Sequence, residues 1–157
     1  MAWTSPRTWV AGEIPTAATF NTHVRDNFKA IGDAWTAYTP TLSNWTLSNG
    51  TLTGAYLQAG KLVIFRILYT VGSTDTKSGG PVFSLPAATD SARAGMCIGE
   101  AFLNDVSVPT RAYRRVIQNS STGCFMASDD DTRLSPTAPW TWATGDLMTI
   151  QGLYEAS

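Results

Sequence analysis

The side chains of this sequence that chemistry would use are one histidine, a run of three aspartates, two cysteines and a few scattered carboxylates and arginines. His23 falls within a helical pattern and far in sequence from any carboxylate cluster, which reads as a surface or interface histidine rather than a proton carrier. Asp129-Asp130-Asp131 is the one acidic cluster. Adjacent carboxylates can hold Ca²⁺ through oxygen, but the spacing is not an EF-hand, and consecutive side chains of an extended chain point apart. The run therefore reads as a solvated loop tip. Glycoside hydrolysis needs two carboxylates across a cleft. Glu100 and Asp146 are the candidates, and nothing in their spacing pairs them. There is no Gly-x-Ser-x-Gly elbow, no Walker loop and no His/Cys metal spacing. The expectation is a protein that is not an enzyme and carries no metal or cofactor.

Two constellations suit binding better. Arg111, Arg114 and Arg115 lie on one predicted strand, with Arg111 and Arg115 on the same face. A net charge of −1 gives no global field for nucleic acid, so these arginines suit an interface salt bridge, with Asp129–Asp131 as one candidate partner. Trp140 and Trp142, with Pro139 and Tyr38, have the composition of a carbohydrate-stacking platform. On a strand they would share a face. Structural burial or subunit packing is the preferred reading of the pair, with sugar stacking the alternative.

A chain of 157 residues holds one modest domain and an appendage. The charged fraction of 15% is low against the roughly 25% of soluble domains. Low charge with much Thr, Ser, Gly and Ala suits a β protein that hides surface in an oligomer. Cys97 and Cys124 read as small buried hydrophobes rather than a disulfide, because Met1-Ala2-Trp3-Thr4 lacks a signal-peptide pattern. No apolar run approaches the ~18 residues of a membrane span, so neither membrane nor nucleic acid is an expected partner.

The first 35 residues are unlike the rest. Residues 1–14 have no consistent period, and Pro6 and Pro15 keep them extended or turned. Trp3, Trp9 and Ile14 are apolar groups in an arm too irregular to bury them. They read as attachment anchors, the alternative being that they fold back on their own domain. Thr16 is the expected N-cap of a helix that begins at Ala17. Ala17, Asn21, Val24, Phe28, Ile31 and Trp35 then recur at steps of four and three, the seam of a short coiled coil. Asn21 is the seam's polar residue, a position that can fix register. Phe28 and Ile31 need a facing surface, either sister helices or the β domain. Gly32 offers an earlier stop that would leave Trp35 in the connection.

From Tyr38 the period falls to two. Asn49-Gly50 signals a hairpin between Trp45–Leu47 and Thr51–Leu57. Residues 61–71 are apolar on both faces except for Arg66, as in a central strand buried on both sides. Further strands are expected at 81–85, 95–103, 110–118, 123–128 and 146–155. The fold class is mainly β: an N-terminal extended arm and short α-helix (1–35), then an antiparallel β-sandwich, jelly-roll-like, over 38–157.

The leader Thr8-Trp9-Val10-Ala11-Gly12-Glu13-Ile14-Pro15-Thr16, followed by Asn21-Thr22-His23-Val24-Arg25-Asp26-Asn27, resembles one found on structural proteins of tailed bacteriophages, especially those of actinobacteria. Tyr38-Thr39-Pro40-Thr41-Leu42, the stretch from Asn49 to Gly54, Tyr56, Gly60 and the closing Gly145-Asp146 strand resemble the same group. The resemblance implies a virion component made in the host cytoplasm: a minor tail, fibre or head-decoration protein, homotrimeric, held by other virion proteins of tail or capsid. It supplies no catalytic residues. A rival expectation is a receptor-binding module that recognises host-surface glycan through Trp140 and Trp142. A second is a glycan hydrolase that uses Asp146 or Glu100.

Overall fold

Alternation along one strand sets the inside and outside of the molecule. In the computed structural model, which describes residues 3–157, the strand Leu62–Thr70 buries Val63, Phe65, Ile67 and Tyr69 and turns Leu62, Arg66 and Leu68 to solvent. The expectation of burial on both faces is thus corrected. This strand is interior to the sheet, but only one face is covered.

Among the described residues nine strands form one antiparallel sheet: β1 (Thr36–Tyr38), β2 (Leu42–Thr46), β3 (Thr51–Ala59), β4 (Leu62–Thr70), β5 (Thr76–Ser84), β6 (Cys97–Asp105), β7 (Thr110–Ser120), β8 (Gly123–Ala127) and β9 (Leu147–Glu155). Their order is β1-β3-β4-β9-β6-β7-β8-β5-β2. The sheet's two edges, β1 and β2, are consecutive in sequence and joined only by residues 39–41. So short a link spans roughly 10–14 Å, which forces the sheet to curl until its ends approach. The sandwich expected from sequence takes the form of one continuous sheet, a half-barrel whose walls face each other. Trp45 on β2 meets Tyr69 on β4 at 6.1 Å between ring centroids, and Tyr69 meets Phe83 on β5 at 6.2 Å. Edge-to-face aromatic contacts across the interior add to burial worth roughly 1.5–3 kcal/mol per large side chain.

Asn49-Gly50 does not close a hairpin. β2 pairs with β5, and β3 pairs with β1 and β4. The turn instead carries the chain from the edge strand β2 to β3, which lies just inside the opposite edge, and is held by a carboxylate from a different loop. Ser48 and Gly50 donate their backbone N–H groups to Asp75 Oδ1 at 2.7 and 3.1 Å.

Before the sheet, residues 17–32 form one helix in three parts: α1 (Ala17–Phe20), a π-helical turn (Asn21–Arg25) and α2 (Asp26–Gly32). Thr16 Oγ1 accepts from Thr19 N at 3.2 Å, the expected N-cap. The helix ends at Gly32, so Trp35 lies in the connection.

Candidate functional site

The described part of the arm runs back along the helix. Asn27, buried on the helix, grips the backbone of Thr4: its Oδ1 accepts from Thr4 N at 2.9 Å and its Nδ2 donates to Thr4 O at 2.7 Å. His23 Nδ1 lies 3.2 Å from Ser5 O. Trp3 rests beside Gly60 at the β3–β4 turn, in a hollow shared with Ala30 and Tyr56. For Trp3 the fold-back alternative is therefore the one observed.

Further out the arm turns. Glu13 N donates to Val10 O at 3.0 Å, and Gly12 has φ +81°, a left-handed conformation that glycine adopts freely. Arg7 closes this turn by pairing with Glu13 at 2.7 Å and stacking over Trp9 at 4.9 Å. The result is a clamped knob with Trp9, Val10 and Ile14 facing water; Ile14 is 91% exposed. Of the helix, α2 alone makes substantial contact with a strand, β3. The helix is about 24 Å long. Arm and helix therefore form a hairpin rooted at its α2 end, with the knob beyond the opposite end.

The helix shows water an apolar ridge of Phe20, Phe28 and Ile31, with Val24 half-buried among them. Phe28 is 73% exposed and Ile31 53%. The face turned inward carries Asn27 and Ala30 instead. Of the two surfaces open to Phe28 and Ile31, the chain's own β domain is thus not the one used. The π turn explains why Phe20 belongs to the ridge and Asn21 does not. A pure α-helix drifts about 80° between positions eight apart. A π turn takes more residues per revolution and removes most of that drift between Phe20 and Phe28. Asn21, next to Phe20, then faces about a quarter-turn away from the ridge. Nothing in the sequence marks a π turn, so Phe20 escapes a seam drawn at α-helical spacing. Trp35, the seam's last expected member, lies instead over Arg66 of β4, 4.9 Å from the guanidinium carbon to the ring centroid.

Trp140 and Trp142 lie outside any strand. Trp142 is only 4% exposed and packs edge-on against Trp45 at 5.8 Å, with Trp140 tilted over it at 5.2 Å. Trp142 is therefore core, and the pair offers no two-ring platform to a sugar. Arg115 holds the acidic loop of its own chain, 2.9 Å from Asp131 and 3.5 Å from Asp129. Arg111 stacks on Phe102 at 6.0 Å, and Arg114 donates to Tyr113 O at 2.8 Å. Asp146 is fully buried and accepts from the backbone N–H groups of Val106 and Ala143 at 3.1 and 2.8 Å. Glu100 sits on the outer face opposite Gln151, five positions along β9 from Asp146. That is about 16 Å of strand, beyond the separation of a glycosidase pair. Cys124 is buried as expected, but Cys97 is exposed, and both thiols are free. Among the described residues no group of three or more His, Cys, Asp or Glu side chains is placed to hold a metal ion.

No protein-family model matches the chain, and comparison with curated proteins and with solved structures finds no match.

Proposed function

We propose that this chain is a non-enzymatic structural protein of a bacteriophage virion, fixed to the particle through its N-terminal arm and displaying a homotrimeric β domain on the tail or capsid surface. The observation that carries the reading is the hairpin of arm and helix, with its clamped knob and its straight apolar ridge both facing water. A single chain gains nothing from holding Trp9, Ile14, Phe20 and Phe28 in solvent. Burying each against a partner contributes roughly 1.5–3 kcal/mol. The ridge suits sister helices, as the seam of a short bundle. The knob suits a pocket on another virion component, and its Arg7–Glu13 clamp lowers the ordering cost of docking. Three linked arms turn a weak attachment into a durable one. The resemblance of the leader to phage structural proteins points the same way.

The test is the mass of the full-length protein by light scattering over a range of concentrations, followed by incorporation of Trp9→Asp and Ile14→Asp variants into particles. A trimer whose knob variants fold but no longer join particles is the expected result. A monomer at all concentrations, or normal incorporation of both variants, overturns the reading.

A further inference from the structure

The outer face of the sheet carries a second unpartnered surface. β9 lies between β4 and β6, and the register aligns Arg66, Gln151 and Glu100 in one row across the three strands. Gln151 Nε2 donates to Glu100 Oε1 at 2.8 Å. Arg66 touches only the ring of Trp35 by charge, and among the described residues neither Arg66 nor Glu100 forms an ion pair. Their strands are about 10 Å apart, too far for the two side chains to meet within one chain while Gln151 fills the gap. The row itself lines a groove of about 660 Å³, together with Trp35, Ile64 and Leu153. Leu153 is 60% exposed, and Leu62 and Leu68 also face out. Inward burial explains the alternate residues of β4 and β9, but not these leucines.

We infer that this face recognises a second copy of the same chain, with Arg66 pairing with Glu100 of the partner subunit and Leu153 packed at the centre. The inference deepens the proposed function and rests on its claim that the chain self-associates. Charge complementarity selects the occupant. Among the described residues of β4, β9 and β6 the face carries Arg66 at its β4 side and Glu100 at its β6 side, each outside any ion pair, while Arg115, opposite Glu100 on β7, is held by Asp129 and Asp131; the β4 side of one copy is therefore complementary to the β6 side of another. Around a three-fold axis the β4 side of each copy meets the β6 side of the next, and all three pairs close. The chain's net charge of −1 puts little repulsion between copies. Trp35 links the two surfaces, since it follows the helix directly and covers Arg66.

The experiment compares full-length wild type with R66E, E100R and the double variant R66E/E100R by sedimentation over a concentration series, with circular dichroism as the fold control. Each single variant is expected to raise the dissociation constant at least tenfold, and the double variant to recover most of the loss. E100Q, which removes only the charge, should give an intermediate loss. Wild-type assembly in either charge reversal, or no recovery in the double variant, overturns the inference. Loss of assembly in Phe28→Ala but not in R66E would leave the trimer reading standing and remove this surface. A dimer that obeys the charge swap would keep this surface and overturn the three-fold arrangement. A monomeric wild type overturns both.

Discussion

Tyr69 Oη donates to Asp75 Oδ2 at 2.7 Å across the connection between β4 and β5. The same carboxylate accepts from the backbone N–H groups of Gly72, Ser48 and Gly50. It thereby ties the β4–β5 loop to the β2–β3 loop, and a Cβ at Gly50 would collide with it. Burial alone would raise the Asp75 carboxyl. The four hydrogen bonds outweigh it and pull the group from 3.8 down to about 2. Burial and this hydrogen bond push the Tyr69 hydroxyl up.

Asp75→Asn should therefore cost about 2–4 kcal/mol, because the amide turns a donor toward groups that already donate. Thermal unfolding should fall by roughly 5–15 °C. The wild type should show the same linkage by titration. The folded-state value lies below the unfolded one, so protonation favours the unfolded chain. The contribution of Asp75 is complete above about pH 4 and drains away as the pH falls toward 2. Acid melts of wild type and variant should converge over that window. A constant gap would mean that the latch does not depend on charge.

Asn27→Ala should free the arm without unfolding the sheet. It removes both bonds to Thr4 and leaves the strand ladder untouched. Cleavage after Arg7 by a trypsin-type protease should accelerate about tenfold, as expected for roughly 1–2 kcal/mol of local stability. The melting temperature of the β domain should move by no more than a few degrees. Equal proteolysis of variant and wild type would show that Trp3 alone pins the arm.

The particular failures of the sequence are instructive. Thr16 as helix start and a closing strand at 146–155 are legible because each follows a local rule of capping or alternation, and of the two helix ends that the sequence leaves open Gly32 is the one observed. Asn49-Gly50 misled because its hairpin signal is equally local, whereas its true partner, Asp75, lies 25 residues downstream of Gly50. Phe20 was missed because a π turn changes the helical period without a residue type that announces it. Burial is the preferred reading of Trp142 and is the one observed, but its partner is not legible in the sequence, since Trp45 arrives from a strand at the sheet's far edge. The Arg66–Gln151–Glu100 row is invisible in one dimension. It exists only because the last strand inserts between the fourth and the sixth.

Phe28→Ala tests the ridge directly. Phe28 is exposed within its own chain, so circular dichroism and melting at low concentration should stay within about 2 °C of wild type. The dissociation constant of the oligomer should rise at least tenfold, matching loss of roughly 1.5–3 kcal/mol of burial per copy. An unchanged mass would mean that the helices of different copies do not meet.

The two thiols should separate cleanly. Cys97 is exposed, while Cys124 is buried and its thiol is pushed up to about 12 by desolvation. At pH 8, and at a concentration low enough to keep the chain monomeric, a water-soluble disulfide reagent should label one thiol per chain quickly. The second should react at least a hundredfold more slowly until denaturant is added. Two fast thiols would show that the β5–β8 wall opens in the native state.

Trp142→Ala separates core from binding surface. The ring fills space between Trp45 and Trp140, and its Nε1 reaches Ala138 O at 3.4 Å. Its removal leaves a cavity in the wall of the half-barrel. That should cost about 3–5 kcal/mol and lower the melting temperature by roughly 10 °C or more. Trp140, half-buried and with an indole N–H that finds no acceptor, should cost less when truncated because it closes the core from outside. A Trp142→Ala protein that melts like wild type would place the ring in solvent and return the pair to the role of a sugar platform.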